Sequence, residues 1–118
     1  MRHRSKKHLK LNGRDANHRD AVLRNIAGSF FVHKKVATTK KRAQAVTPLI
    51  HKLIRLGQEK DLMNAIRGLQ ASLYTEQACK AALEVAKNAQ RTSGFTRMTP
   101  LKYRAGDASM LVTLELVV

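Results

Sequence analysis

The sequence predicts an α+β fold: about four helices packed on a small antiparallel sheet (a C-terminal hairpin plus a short strand), with an extended basic N-terminal arm. Apolar residues recur at helical spacing in four segments between positions 15 and 90, and they alternate strictly near the end of the chain. The first 14 residues are charged and carry no apolar stripe. A length of 118 residues with 43% hydrophobic residues suits one core. We therefore expect an arm at 1–14 and a single domain at 15–118.

The arm is predicted from its composition. Apart from the initial methionine, its apolar residues are Leu9 and Leu11, and neither belongs to a helical stripe. Like charges repel one another along such a segment and keep it extended until anions neutralise them.

The first helix is predicted to begin near position 15, because Asp15 or Asn17 can cap it. Gly28 lies in its interior, where glycine costs about 1 kcal/mol relative to alanine. Either the helix tolerates this strain, or a neighbouring backbone approaches closely at Gly28. Helical spacing places the following residues on one apolar face: Val22, Leu23, Ile26, Ala27, Phe30 and Phe31.

A short β-prone link at 36–38 leads into a second helix, which is predicted at 40–56. Thr39 is its expected cap and Gly57 its expected end. Pro48 is expected to kink it, because proline removes a backbone donor. The apolar stripe of this helix consists of Ala43, Val46, Leu49, Ile50, Leu53 and Ile54.

Two further helices are predicted at 61–73 and 76–90, and Thr75 is placed to cap the latter. The alanines of the fourth helix allow close packing against a neighbour. Cys79 lies one turn before Leu83, and we interpret it as a small core residue rather than a nucleophile.

The apolar period changes to two near the C-terminus, which predicts a half-buried strand. Residues 95–101 predict a second, weaker strand, in which Pro100 indicates an edge position or a bulge. Residues 104–108 include Gly106 and predict a hairpin connection between the two strands. The alternating residues of the final strand are Met110, Val112, Leu114, Leu116 and Val118.

Positive charge is concentrated in the first 42 residues, which hold 13 of the 23 Lys and Arg residues against two acids. This stretch therefore carries +11 of the formal net charge of +15, and such one-sided basicity attracts a polyanion. Lys40, Lys41 and Arg42 fall in the first turn of the second helix, where the helix dipole disfavours cations. A phosphate bound at this helix N-terminus would compensate for that mismatch.

Several function classes are not expected. The single cysteine allows no internal disulfide and no cysteine zinc cluster, and it favours a reducing compartment. The five histidines lack zinc-ligand spacing, and the eight acids are scattered rather than paired for catalysis. Neither a signal peptide nor a membrane span is expected. We therefore expect no metal, no cofactor, no small-molecule substrate and no enzymatic activity.

Aromatic residues are scarce, with three Phe, two Tyr and no Trp. Proteins that stack single-stranded bases need exposed aromatic platforms. At least three of these five residues fall on apolar faces, so base stacking is not expected, and contacts to phosphates are favoured.

Several strings of the sequence resemble one protein family. They are MRHRSKKHLKLN in the arm, NHRDAVLRNIAGSF in the first helix, VATT in the link, PLIHKLIRL in the second helix, and SGFTRM, RAGDASM and LELV near the C-terminus. In order and spacing they resemble the bacterial large-subunit ribosomal protein seventeen family. The resemblance covers about two-thirds of the chain. Residues 58–91 scarcely match, and Ser93 and Lys41 stand where the family usually has glycine and proline.

The resemblance implies a structural, RNA-binding constituent of the large ribosomal subunit in the cytoplasm. It also implies contacts with ribosomal RNA and neighbouring large-subunit proteins, on the solvent side toward the region where nascent chains leave. The candidate RNA-binding residues combine the basic positions with those that match the family: Arg2, His3, Arg4, Lys6, Lys7, Lys10, Asn12, Arg14, His18, Arg19, Arg24, Asn25, Lys34, Lys35, Thr38, Thr39, Lys40, Lys41, Arg42, Arg97, Lys102 and Arg104.

Two other functions remain open at the level of residues alone. The charge distribution equally suits an architectural, chromatin-like DNA-binding protein. A small RNA-acting enzyme is the other alternative, in which Glu59 or Asp61 would have to serve in turnover.

Deletion of residues 1–14 is expected to leave the remaining domain folded, because little apolar surface is removed with them. Thermal unfolding of the truncated protein, followed by circular dichroism, checks this expectation. Loss of the cooperative transition would contradict the division of the chain into an arm and a folded body.

Overall fold

A computed structural model of the chain describes residues 15–59 and 61–117. Within them, four helices and three strands follow one another as α1 (Ala16–His33), β1 (Lys35–Thr39), α2 (Lys40–Gly57), α3 (Leu62–Ser72), α4 (Glu76–Asn88), β2 (Thr96–Tyr103) and β3 (Met110–Leu116). The predicted α+β class, with about four helices on a small antiparallel sheet, is confirmed. The arm predicted at 1–14 lies outside the described residues.

The helix starts follow from side-chain caps. Asp15 Oδ1 accepts the backbone N–H of His18 at 2.7 Å, and Thr75 Oγ1 accepts that of Ala78 at 3.2 Å. Asp61 caps α3 in the same way. Each cap satisfies one of the backbone donors that the first turn leaves without a partner. The caps predicted at Asp15 and Thr75 are therefore confirmed.

β3 is the central strand of the sheet, and it pairs in antiparallel fashion with β1 on one side and β2 on the other. Leu114 of β3 lies opposite Val36 in β1 and Met98 in β2, and these three side chains face the helices. The register of β2 shifts between Pro100 and Lys102, which confirms the predicted bulge. The link predicted at 36–38 is a complete edge strand.

The core lies between the sheet and the helices, and α2 runs through its centre. α2 contacts the other three helices and all three strands. Cys79 packs against this core, where burial raises the pKa of its thiol and Glu76 raises it further. Its interpretation as a core residue is confirmed. The largest fully buried side chains include Phe30, Phe31, Phe95, Ile50, Leu53, Ile54, Leu69 and Leu114.

Pro48 does not end α2, which continues through it as one helix of 18 residues. The proline is exposed on the solvent side of the helix. Beside it, the Thr47 hydroxyl donates to the carbonyl oxygen of Ala43 one turn earlier, at 2.7 Å. The helix therefore tolerates the missing backbone donor, and the predicted kink stays a prediction.

Two glycines differ in what their surroundings require. A Cβ atom at Gly57 would lie 2.6 Å from the Cβ of Ala86, so α2 and α4 can approach only because this position has no side chain. At Gly28 a Cβ atom would lie 3.7 Å from that of Ala78, an ordinary van der Waals contact. The close approach considered for Gly28 therefore does not require glycine. It occurs instead at Gly57, which the sequence indicated only as a helix end.

Gly57→Ala is expected to lower the free energy of unfolding by about 1–3 kcal/mol, because the new methyl group forces α2 away from α4. Gly28→Ala is the matched control, and it is expected to raise stability by up to about 1 kcal/mol through helix propensity. Urea denaturation followed by circular dichroism measures both. Equal effects of the two substitutions would show that the helix contact at Gly57 does not restrict side-chain size.

Candidate nucleic-acid interface

The start of α2 presents three consecutive exposed cations, Lys40, Lys41 and Arg42, which we call the α2 cluster. No acidic residue occurs in this first turn. Thr39 occupies the N-cap position, but within the described part of the chain its side chain makes no capping hydrogen bond. Thr38, one residue earlier, is half-buried. Backbone donors, the positive end of the helix dipole and three cationic side chains therefore coincide at one helix end.

The end of the β2–β3 hairpin lies against the α2 cluster and forms a groove with it. The groove is open to solvent and has a volume of about 440 Å³. An extended phosphodiester backbone can enter such a groove, because its lining supplies ammonium, hydroxyl and amide groups. The lining residues are Thr39, Lys40, Lys41, Gln44, Ser109 and Met110.

α1 presents a second group of the predicted residues. His18 and Asn25 are exposed, and Arg19 is half-buried. The guanidinium carbon of Arg24 lies 5.9 Å from the ring centroid of Tyr74. This cation–π contact holds the arginine at the surface between α1 and the start of α4.

The predicted cations of the sheet are placed differently, because an acid lies among them. Lys35 Nζ lies 3.4 Å from Glu115 Oε1, and Arg97 stands opposite Glu115 across the β2–β3 pair. Lys102 is exposed at the bulge of β2. Lys34 is exposed at the junction of α1 and β1, where it adopts a left-handed conformation with φ of 62°. The internal ion pair reduces the positive charge that this face offers to a ligand.

Arg104 belongs to the turn of the hairpin. Its Nε donates to Asp107 Oδ1 at 3.0 Å, and its Nη2 donates to Asp107 Oδ2. The backbone N–H of Ser109 also donates to Asp107, at 3.2 Å. These bonds hold the pKa of Asp107 well below its usual range, with the Arg104 side chain as the largest cause and Ser109 as the next. Arg104 therefore organises the turn, whether or not it also binds RNA.

The remaining predicted residues belong to the arm and lie outside the described residues. They are Arg2, His3, Arg4, Lys6, Lys7, Lys10, Asn12 and Arg14. Their role in binding stays a prediction from the sequence.

A basic groove along the second half of α2 was not predicted from the sequence. It is open to solvent, has a volume of about 500 Å³, and lies between α2 and the segment that leads into β2. Lys52 and Arg55 are exposed on this side of the helix, three residues apart and opposite its apolar stripe. That spacing was the available signal. The lining residues are Pro48, His51, Lys52, Arg55, Leu56, Glu59, Ser93 and Phe95.

His51 stabilises the floor of this groove. Its Nε2 atom lies 3.0 Å from Thr96 Oγ1, and its ring meets that of Phe95 edge to face at 5.5 Å between centroids. Partial burial lowers the pKa of His51, and the charge of Arg55 lowers it further. Both effects favour the neutral imidazole, and Lys52 and Arg55 supply positive charge to the groove.

The described residues form neither a cluster suited to a metal ion nor a helix suited to a membrane. Among residues 15–59 and 61–117, no group of three or more His, Cys, Asp or Glu side chains could hold a metal ion. In the same ranges, no helix combines the length and apolarity that a membrane span requires.

Comparison with known proteins gives consistent matches over most of the chain. The family model described as ribosomal protein L17 matches residues 22–117. The chain is 38% identical over 106 residues to the large ribosomal subunit protein bL17 of Desulfitobacterium hafniense, which covers 89% of this chain and 95% of that protein. It is 37% identical over 106 residues to bL17 of Novosphingobium aromaticivorans, covering 89% and 75%. The family match includes residues 58–91, a segment that contains none of the strings quoted above as resembling the family.

The carboxyl group of Asp107 is expected to titrate well below the ordinary aspartate range near pH 4. Because the folded state lowers this pKa, the stabilisation of the turn is present above the unfolded value and is lost as pH falls through the folded one. A carbon-13 NMR titration of the side-chain carboxyl measures the midpoint. A midpoint near pH 4 would show that the Arg104 pair does not persist in solution.

Proposed function

The chain belongs to the bacterial ribosomal protein L17 family, and on that premise we propose that it binds and clamps large-subunit ribosomal RNA through its basic arm and the α2 cluster. Family membership makes it a structural component of the large ribosomal subunit rather than an enzyme, as the sequence analysis expected. The cytoplasmic ribosome is accordingly its location.

The observation that carries the proposal is the positive charge of Lys40 and Arg42 at the start of α2, where no acid occurs in the first turn. Helix N-termini favour anions, and cations placed there raise the energy of the free protein. Within the described residues, Lys40 and Arg42 form no ion pair. A phosphate at this position can accept hydrogen bonds from the first-turn amides and from the side chains. The arrangement therefore stabilises a bound RNA backbone more than it stabilises the free protein.

The arm adds to this binding because it holds six Lys and Arg residues and no acid. Its charges contribute affinity that carries no sequence information, since phosphate contacts position a protein without reading bases. In this proposal the arm and the α2 cluster both hold the RNA, and together they clamp it. Neighbouring large-subunit proteins are proposed as further partners on the remaining surface.

The two alternatives now stand differently. The matches to ribosomal proteins give the architectural DNA-binding function no support. An RNA-acting enzyme would have to use Asp61 or Glu59. Asp61 instead serves as the N-cap of α3, and Glu59 lies exposed beside Lys52 and Arg55.

Binding to large-subunit ribosomal RNA is expected to weaken steeply with salt. With six to ten phosphate contacts, the affinity should fall by roughly 10³–10⁵ between 50 and 200 mM salt, on a scale calibrated with DNA. Filter binding with deproteinised RNA over this range gives the slope of log affinity against log salt. An affinity independent of salt would contradict the electrostatic mechanism.

The double variant Lys40→Gln/Arg42→Gln tests the α2 cluster within that mechanism. Each lost phosphate contact should lower the slope by about one, so a decrease of about two is expected. Arg67→Gln/Lys87→Gln is the matched control, because it removes the same charge from exposed positions on α3 and α4. Equal decreases in both variants would show that net charge, rather than the α2 cluster, determines binding.

A further inference from the structure

Tyr74 differs from most aromatic residues of the chain. The three phenylalanines are fully buried, whereas 57% of Tyr74 is exposed just before the first turn of α4. It borders an open groove of about 270 Å³ between α1 and the start of α4, which we call the α1–α4 groove. The side chains that matter for the argument are Arg24, Asn25, Ser29, His33, Tyr74 and Gln77.

The groove combines an aromatic face with hydrogen-bonding groups and positive charge. The guanidinium of Arg24 lies over the Tyr74 ring at 5.9 Å from its centroid. Asn25 and Gln77 are exposed and carry both donors and acceptors. No carboxylate is among the described residues that line the groove. The nearby Glu76 is engaged with Lys80, whose Nζ lies 2.9 Å from Glu76 Oε1.

This combination is the chemistry that recognises an unpaired nucleobase. Proteins that bind single-stranded RNA segments stack exposed bases on aromatic rings and guanidinium planes, and they read the base edges with hydrogen bonds. Amide side chains suit those edges because each offers both a donor and an acceptor. A purely apolar partner would leave Asn25, Gln77 and the charge of Arg24 unsatisfied, and a cationic partner would be repelled.

The position of the groove agrees with an RNA occupant. α1 starts where the arm joins the body, and Arg24 lies eight residues after Ala16, about 12 Å further along the helix axis. Arg24, which lines the groove, is therefore about two helical turns from the point in the sequence where the arm ends. Arg19, which is half-buried, lies between these two points along the same helix.

We propose that an unpaired base of the ribosomal RNA stacks on Tyr74 in the α1–α4 groove, with Asn25 and Gln77 contacting its edge and Arg24 contacting an adjoining phosphate. The inference rests on the proposed function, because it describes a second site at which the protein contacts the same RNA. It reverses the expectation that base stacking plays no part.

The test compares three substitutions of Tyr74 for affinity to deproteinised large-subunit ribosomal RNA. Tyr74→Ala and Tyr74→Leu should each weaken binding by roughly 5- to 100-fold, because the loss of one stacked base has effects of this order. Tyr74→Phe should bind like the unaltered protein, since stacking needs the ring and not the hydroxyl group. The salt slope should be unchanged in all three, because stacking neutralises no phosphate.

Tyr103→Ala is the matched control, since Tyr103 is the other tyrosine and is 67% exposed on β2. It should leave the affinity close to that of the unaltered protein, because Tyr103 is not among the residues that line the α1–α4 groove. Wild-type affinity in Tyr74→Ala would overturn the stacking proposal while leaving the proposed function intact. So would a Leu variant that binds like the Phe variant, because apolar contact rather than stacking would then suffice. If the unaltered protein fails to bind the RNA, the proposed function itself is overturned.

Irradiation of intact large subunits at 254 nm provides an independent measurement. A nucleotide adduct on the peptide that contains Tyr74 is expected, and the Phe variant should retain it. If Tyr74→Ala binds RNA normally but fails to enter subunits, the groove holds a neighbouring protein instead of a base, and the proposal is wrong.

Discussion

The burial of one face of α2 is the constraint on which the rest of the structure depends. This helix contacts the three other helices and every strand of the sheet, and its inward side chains Ile50, Leu53 and Ile54 are almost completely buried. At Gly57, α4 approaches α2 so closely that a side chain on Gly57 would collide with Ala86. Because the buried face determines the rotation of α2, it also determines which residues face solvent. The exposed cations at the start of the helix and at Lys52 and Arg55 follow from that rotation.

The cations of this chain serve two different purposes. On the sheet side, Lys35 lies beside Glu115 and Arg104 is bonded to Asp107, so these charges organise the protein itself. Exposed pairs of this kind contribute little to stability. At the start of α2, by contrast, no acid is present in the first turn and the helix dipole opposes the charge. A cation that lies beside an acid therefore helps to organise the fold, whereas a cation at a helix start without acids is available to a ligand.

The sequence predicted the elements, the caps at Asp15 and Thr75 and the bulge at Pro100, because these depend on local periodicity and turn chemistry. It predicted a short strand beside the hairpin, but it did not predict with which hairpin strand this one pairs, since pairing depends on the distant β3. It attributed Gly57 to a helix end, because the contact with Ala86 joins residues far apart in the chain. The grooves at Lys52 and Tyr74 were missed for the same reason, since each wall comes from a different element. What the arm residues contact stays a prediction.

The electrostatic design has a consequence for the free protein. A net charge of +15 in 118 residues makes the compact state repel itself. Neutralisation by a polyanion removes that repulsion. In addition, a ligand that binds the folded state more tightly than the unfolded state stabilises the folded state, in proportion to the logarithm of the ligand concentration. The apolar core around α2 must therefore hold the fold before RNA is bound, because the cations oppose folding until then. Burial of Phe30, Phe31 and Phe95 in one cluster supplies that stability, and it leaves the basic surfaces available for binding.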